Sequence, residues 1–157
     1  MPGAAEELSQ RRCVDRILID GVQDAVVKPH TVLIVDDEPL VRWSVAETLT
    51  DSGYRVMSAG DACDALRVIT GSGERPDVVL LDVDLPDSKD LSVLSAIRQA
   101  SPASSVIVIT AHGSQELFDD ARKRGAFASI DKPFEMSSLA PLVAQALAAQ
   151  DDTSPVY

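Results

Sequence analysis

The chain has 157 residues, 45% apolar and 25% charged, values that suit one globular domain and exclude both wholesale disorder and a multidomain enzyme. Its 14 basic residues face 25 acidic ones, a formal charge of -11, which argues against DNA or an anionic membrane as the main partner because both demand a concentrated basic surface. There is no apolar run of the ~18 residues a membrane span needs, no secretory-type start and no metal-ligand spacing between Cys13 and Cys63, so a cytoplasmic protein with reduced thiols is expected.

Residues 1–30 stand outside the pattern that follows. They read as an N-terminal extension, partly disordered or carrying a short helix over Ala5 to Arg16 with Arg12 and Arg16 on one face. From Thr31 onward two kinds of segment alternate. Val32-Leu33-Ile34-Val35 is β-branched and free of polar residues, as a parallel strand covered on both faces should be. Leu40, Trp43, Val45, Ala46 and Leu49 recur at helical spacing up to Ser52-Gly53, and Trp43 and Leu49 are expected in the core or at an interface. Tyr54-Arg55-Val56-Met57 is a weaker second strand. Asp61 reads as the N-cap of a second helix marked by Ala62, Ala65, Leu66 and Ile69, which stops at Gly71-Ser72-Gly73.

Val78-Val79-Leu80-Leu81 predicts the third strand, and Leu91, Leu94 and Ile97 a helix that closes before Pro102. Val106-Ile107-Val108-Ile109 predicts the fourth strand. Leu117, Phe118 and Ala121 mark the helix after it, ending at Gly125, with Arg122-Lys123-Arg124 where the helix dipole favours cations. Phe127-Ala128-Ser129-Ile130 is the fifth strand. A last helix carries Leu139, Leu142, Val143, Ala146 and Leu147, and residues 151–157 read as a disordered tail.

Five strands alternating with five helices define an α/β domain over residues 31–150, a doubly wound parallel sheet with helices on both faces. Ligands of such sheets bind outside the carboxyl ends of the strands. The site should therefore be built from Asp36, Asp37, Asp82, Thr110 and Lys132, each of which follows a strand run. Three carboxylates aimed at one crevice repel unless a cation sits among them, and a hard ion such as Mg²⁺ is the simplest partner. Lys132 adds a compact cation and Thr110 a hydroxyl, with small Ala111 beside it leaving room for a group to enter. A carboxylate nucleophile, a metal, a lysine and a hydroxyl together describe a phosphoryl-accepting site in which Asp82 attacks.

The runs Leu33-Ile34-Val35-Asp36-Asp37-Glu38-Pro39, Val79-Leu80-Leu81-Asp82 with Pro86, Ile109-Thr110-Ala111-His112, and Gly125-Ala126-Phe127 leading to Lys132-Pro133-Phe134 resemble the receiver domain of two-component response regulators, nearest to the nitrogen-regulation type. The resemblance implies the flavodoxin-like (βα)5 strand order and Mg²⁺-dependent phosphorylation of Asp82 by a histidine kinase or phosphotransfer protein. It implies that Asp37 ligates Mg²⁺ directly, Asp36 mainly through water, and that Asp82 and the backbone carbonyl of Asp84 complete the metal set. Thr110 would bond the phosphoryl group and swing inward on activation, and Lys132 would pair with a phosphoryl oxygen, its bond to Pro133 being cis. Asp84 and His112 fall where the family tunes the lifetime of the phosphoryl group. The fourth helix, fifth strand and fifth helix would form the docking face, with a homodimer through that face as one use of it.

Two positions depart from the family pattern. Ser129 stands where a Tyr or Phe usually reports phosphorylation, and Phe127 two places earlier does not replace that ring. Asp90 stands where Gly is general, so its loop is expected to be altered in shape, since Asp tolerates positive φ only at some cost. These departures keep a second reading open, that of a degenerate receiver serving as a non-switching protein-interaction module. A haloacid-dehalogenase-like phosphatase also places an Asp nucleophile after an apolar strand, but Pro86 stands where that family wants Thr or Val. The expectation is a stand-alone receiver that is not an enzyme beyond slow autodephosphorylation. Its output would pass through an unknown downstream protein, not through DNA or a membrane.

Overall fold

A computed structural model describes residues 29–71, 73–88 and 90–152. The expected Ala5–Arg16 helix, Cys13 and the tail beyond residue 152 lie outside the described residues. The elements run β1 (Thr31–Val35), α1 (Pro39–Asp51), β2 (Arg55–Ala59), α2 (Ala62–Gly71), β3 (Val78–Asp82), α3 (Ser92–Ala100), β4 (Ser105–Thr110), α4 (Gln115–Lys123), β5 (Ala128–Asp131), a 3₁₀ turn (Met136–Ser138) and α5 (Leu139–Asp152). All strand pairs are parallel, and the order β2-β1-β3-β4-β5 is the flavodoxin-like one in which the chain reverses direction across the sheet between β1 and β3.

Every residue of β1 and β3 is buried, and β4 is buried from Val106 onward, which is why these runs carry no polar alternation. Alternate residues feed two separate cores. Leu33, Val35, Val79, Leu81, Val106 and Val108 pack with Ala65, Ile69, Leu94 and Ile97 on the side of α2 and α3. Val32, Ile34, Val78, Leu80, Ile107 and Ile109 pack with Val45, Leu49, Leu139, Val143 and Ala146 of α1 and α5. Each fully buried aliphatic side chain contributes roughly 1.5–3 kcal/mol.

Edge strands account for the weaker sequence signals. β2 is only part-buried and starts one residue later than its apolar run, because Tyr54 N–H still closes α1 on Leu49 O while Arg55 N–H opens the ladder on His30 O. β5 is likewise shifted by one residue and part-buried. Gly53 and Gly125 take φ of 94° and 100° just after α1 and α4, the left-handed turn that lets each chain leave its helix. The final helix continues to Asp152, two residues into the segment read as tail.

Trp43 is not in the core. It is 62% exposed, as is Leu40 at 73%, whereas Val45 and Leu49 are buried. Two residues turn a helix by 200°, so Trp43 cannot share the inward face of Val45.

Candidate functional site

The carboxyl ends of four strands converge at one edge of the sheet. β1 delivers Asp36 and then Asp37, β3 ends in Asp82, β4 ends in Thr110, and β5 is followed at once by Lys132. Asp36, Asp82 and Thr110 are about 2% exposed or less, while Asp37 faces solvent. The chain folds this way because each polar residue comes one or two positions after the last apolar rung, at the end of the strand.

Lys132 is the hub. Its Nζ donates to Asp36 Oδ2 at 2.8 Å, to Asp82 Oδ2 at 3.0 Å and to Glu38 Oε1 at 3.3 Å. The other carboxylate oxygens are also occupied: Asp36 Oδ1 accepts from Glu38 N–H at 2.9 Å and Asp82 Oδ1 from Asp84 N–H at 2.8 Å. Lys132 N–H bonds to Thr110 O at 2.8 Å, so the strand ladder itself fixes the base of the lysine. Its peptide bond to Pro133 is cis. The Thr110 hydroxyl accepts from His112 N–H at 3.0 Å.

Burial pushes the Asp82 carboxyl above its ordinary pKa, against the opposing pull of Asp84 N–H and the Lys132 ammonium, with the Asp36 charge adding to the rise. Burial also opposes the charge on Lys132, but its bonds to Asp36 and Asp82 outweigh it and hold the lysine above its usual value. The lysine is therefore fully protonated at neutral pH, and the acids around it outnumber it.

That imbalance is what a metal would answer. Asp36, Asp37 and Asp82 each offer a carboxylate oxygen, all within 4.8 Å of one another. An all-oxygen, carboxylate donor set suits a hard cation such as Mg²⁺ and not a soft one. Asp84 has a buried carboxylate oxygen, Oδ2, with no hydrogen-bond partner, a second sign that this corner is short of positive charge. The residues present fit Mg²⁺.

Of the five residues picked from sequence, all meet at this edge. Two participants were missed. Glu38 gives Lys132 a third acceptor, and Arg42 donates from Nη1 to Asp36 O at 2.6 Å. Glu38 stands in the quoted motif beside Asp37 and Arg42 follows it by one helical turn, but the spacing does not show where either long side chain reaches.

Asp90 needs no left-handed backbone: among the described residues only glycines have positive φ. Its carboxylate lies at the start of α3, accepting from Ser92 N–H at 2.9 Å and from the Ser92 hydroxyl. Asp61 caps α2 as expected, accepting from Asp64 N–H at 2.7 Å. Asp87 shares that helix end, accepting from Ala62 and Cys63 N–H at 2.9 and 3.0 Å. Ser129 lines a groove of about 200 Å³ with Gln115, Phe118, Arg122 and Phe127, and Phe127 is 39% exposed.

The sheet order and this edge define an open α/β protein with an acidic pocket and a single bridging lysine. The pattern of the response regulator receiver domain matches residues 32–144, and the chain belongs to that family, the phosphorelay receivers of two-component systems. It is 39% identical over 120 residues to the nitrogen assimilation regulatory protein NtrX of Azorhizobium caulinodans, covering 75% of this chain and 26% of that protein. It is 36% identical over 121 residues to the transcriptional regulatory protein PdtaR of Mycobacterium tuberculosis, covering 76% and 57%. The crystal structure of a CheY-like receiver domain protein from Methanospirillum hungatei superposes with a TM-score of 0.76 at 28% identity, over 81% of this chain and 100% of that one. The chain thus spans between a quarter and somewhat over half of these two relatives. Among the described residues no helix is long and apolar enough to cross a membrane.

Proposed function

We propose that this chain is a Mg²⁺-dependent phosphoryl switch in which Asp82 accepts a phosphoryl group from the phosphohistidine of a kinase or phosphotransfer protein. The observation that carries the reading is one ammonium, Lys132, shared by two buried carboxylates on different strands at 2.8 and 3.0 Å. In the transfer an Asp82 carboxylate oxygen forms a bond to phosphorus, the phosphorus–nitrogen bond breaks, and the histidine ring leaves with the electron pair. Lys132 balances charge on the phosphoryl oxygens, and Thr110, one strand away, is positioned to turn its hydroxyl towards them. Asp36, Asp37, Asp82 and the Asp84 carbonyl would hold Mg²⁺, which supplies further charge neutralisation. The output we assign is contact of the α4–β5–α5 face with another protein or a second copy, without DNA or a membrane, and the setting we assign is the cytoplasm.

Acetyl phosphate with Mg²⁺ should convert the protein to a base-labile acyl phosphate, seen by intact mass, and Asp82→Asn should abolish it. Absence of labelling at every Mg²⁺ concentration would favour the second reading, an interaction module that no longer switches, which Ser129 in place of the reporter aromatic supports. Steady turnover of a phosphate ester would point instead to a phosphatase.

A further inference from the structure

We propose that Arg42 is a positioning residue for the metal-binding loop, its guanidinium holding the backbone carbonyl that leads into Asp37, and that Gly60 is its seat. The inference rests on the receiver reading of the same site and assigns a role to two residues outside the acid–lysine–threonine set.

The Arg42 guanidinium donates to Asp36 O at 2.6 Å, holding the carbonyl just before Asp37. The Arg42 backbone N–H bonds Glu38 O at 3.0 Å, but that is the first i→i−4 bond of α1, which any residue except proline would make there. The Asp36 carbonyl belongs to the planar peptide that joins Asp36 to Asp37, so fixing that oxygen fixes the plane from which the Asp37 backbone departs. Asp37 is exposed, so packing does little to orient it and the loop backbone must.

Gly60 leaves room for the guanidinium. A Cβ built on Gly60 would stand 3.3 Å from Arg42 Nη1, so the guanidinium would have to move by a few tenths of an ångström, and at an ordinary 3.8 Å from Cζ. Asp36 N–H bonds to Ala59 O at 3.1 Å, so the residue before Gly60 already ties β2 to the start of the loop. Arg42 thus joins α1, the β1–α1 loop and the β2–α2 turn at the place where Asp36 and Asp37 must be presented.

The sign of the effect separates positioning from simple charge. Arg42 is a cation beside a cation site. Were it acting only through its field, removing it would tighten Mg²⁺ binding; a clamp predicts the opposite.

Mg²⁺ affinity measured by titration calorimetry on the wild-type chain and on Arg42→Met, Arg42→Lys, Gly60→Ala and the Arg42→Met/Gly60→Ala pair tests the clamp. Arg42→Met should weaken binding by about 10-fold or more, the range for losing a residue that orients a metal ligand. Arg42→Lys should fall between, because an ammonium lacks the planar fork. Gly60→Ala should weaken binding in the wild-type background and leave it unchanged in the Arg42→Met background, the coupling expected of two residues sharing one contact. At saturating Mg²⁺ the variants should recover acetyl phosphate labelling of Asp82. Mg²⁺ binding in Arg42→Met that is unchanged or tighter overturns the proposal, as do additive effects of the two substitutions. If Arg42→Met does not fold, Gly60→Ala alone decides by whether Mg²⁺ affinity falls. A wild-type chain that binds no Mg²⁺ overturns the receiver reading itself, a different outcome from a wild type that binds and variants that bind equally well.

Discussion

At the scale of single residues, Lys132 balances more acid than it can neutralise. Replacing it with Met leaves Asp36 and Asp82 buried without their shared ammonium, and breaking a buried pair in this way costs roughly 3–5 kcal/mol. Urea unfolding of Lys132→Met in chelator should show that loss, and Mg²⁺ should restore part of it. Asp82 carries the opposite sign. Its folded pKa is raised, so its ionised form works against folding at neutral pH. Asp82→Asn should therefore unfold at a urea concentration no lower than wild type without metal. The acids, the threonine and the lysine of this site are legible because each falls within two residues after an apolar run, and strand ends are where such sheets bind ligands. Glu38 and Arg42 were not read because their roles depend on where a long side chain reaches. Asp90 replaces the Gly general in the family without a left-handed backbone, its carboxylate bonding the Ser92 N–H and hydroxyl at the start of α3.

At the scale of elements, α2 begins on two acids from different places. Asp61 caps it locally, and Asp87, from the loop after Asp82, accepts from the Ala62 and Cys63 N–H groups, which hold its carboxyl below the ordinary carboxylate value. A depressed pKa in the folded state contributes stability above the unfolded value of about 3.9 and loses it as the pH falls through the folded one. Asp87→Ala should thus melt below wild type at pH 7, and the gap in Tm should close on acidification below pH ~3.9. On α1, Trp43 projects away from the sheet, so Trp43→Ser should change stability by no more than about 0.5 kcal/mol in urea. The helical repeat placed α1 correctly but could not show that its apolar stripe is wider than the face that is buried. β2 and β5 were the faintest strands for a physical reason: an edge strand with part-buried side chains does not need a continuous apolar run.

For the whole molecule, the sheet divides two cores that share no side chain. Leu80 and Ile107 sit fully buried between β3, β4 and the helices α1 and α5, and truncating either to Ala should cost about 2–5 kcal/mol in urea unfolding. The strand order was legible once the receiver motifs were seen, but alternation alone left it open. Parallel strands must be joined by crossovers, and several orders satisfy that rule.

The ends of the sheet have a consequence for how these molecules behave in a crowd. β2 and β5 each have a strand neighbour on one side only, and an open row of backbone groups invites another chain to add a strand. Both edges are short, five and four residues, and each carries an exposed charged residue, Arg55 on one and Asp131 on the other. With a formal charge of -11 over the whole chain, like molecules repel before their edges meet. The same surplus of acid that leaves the pocket short of cations therefore also discourages edge-to-edge aggregation.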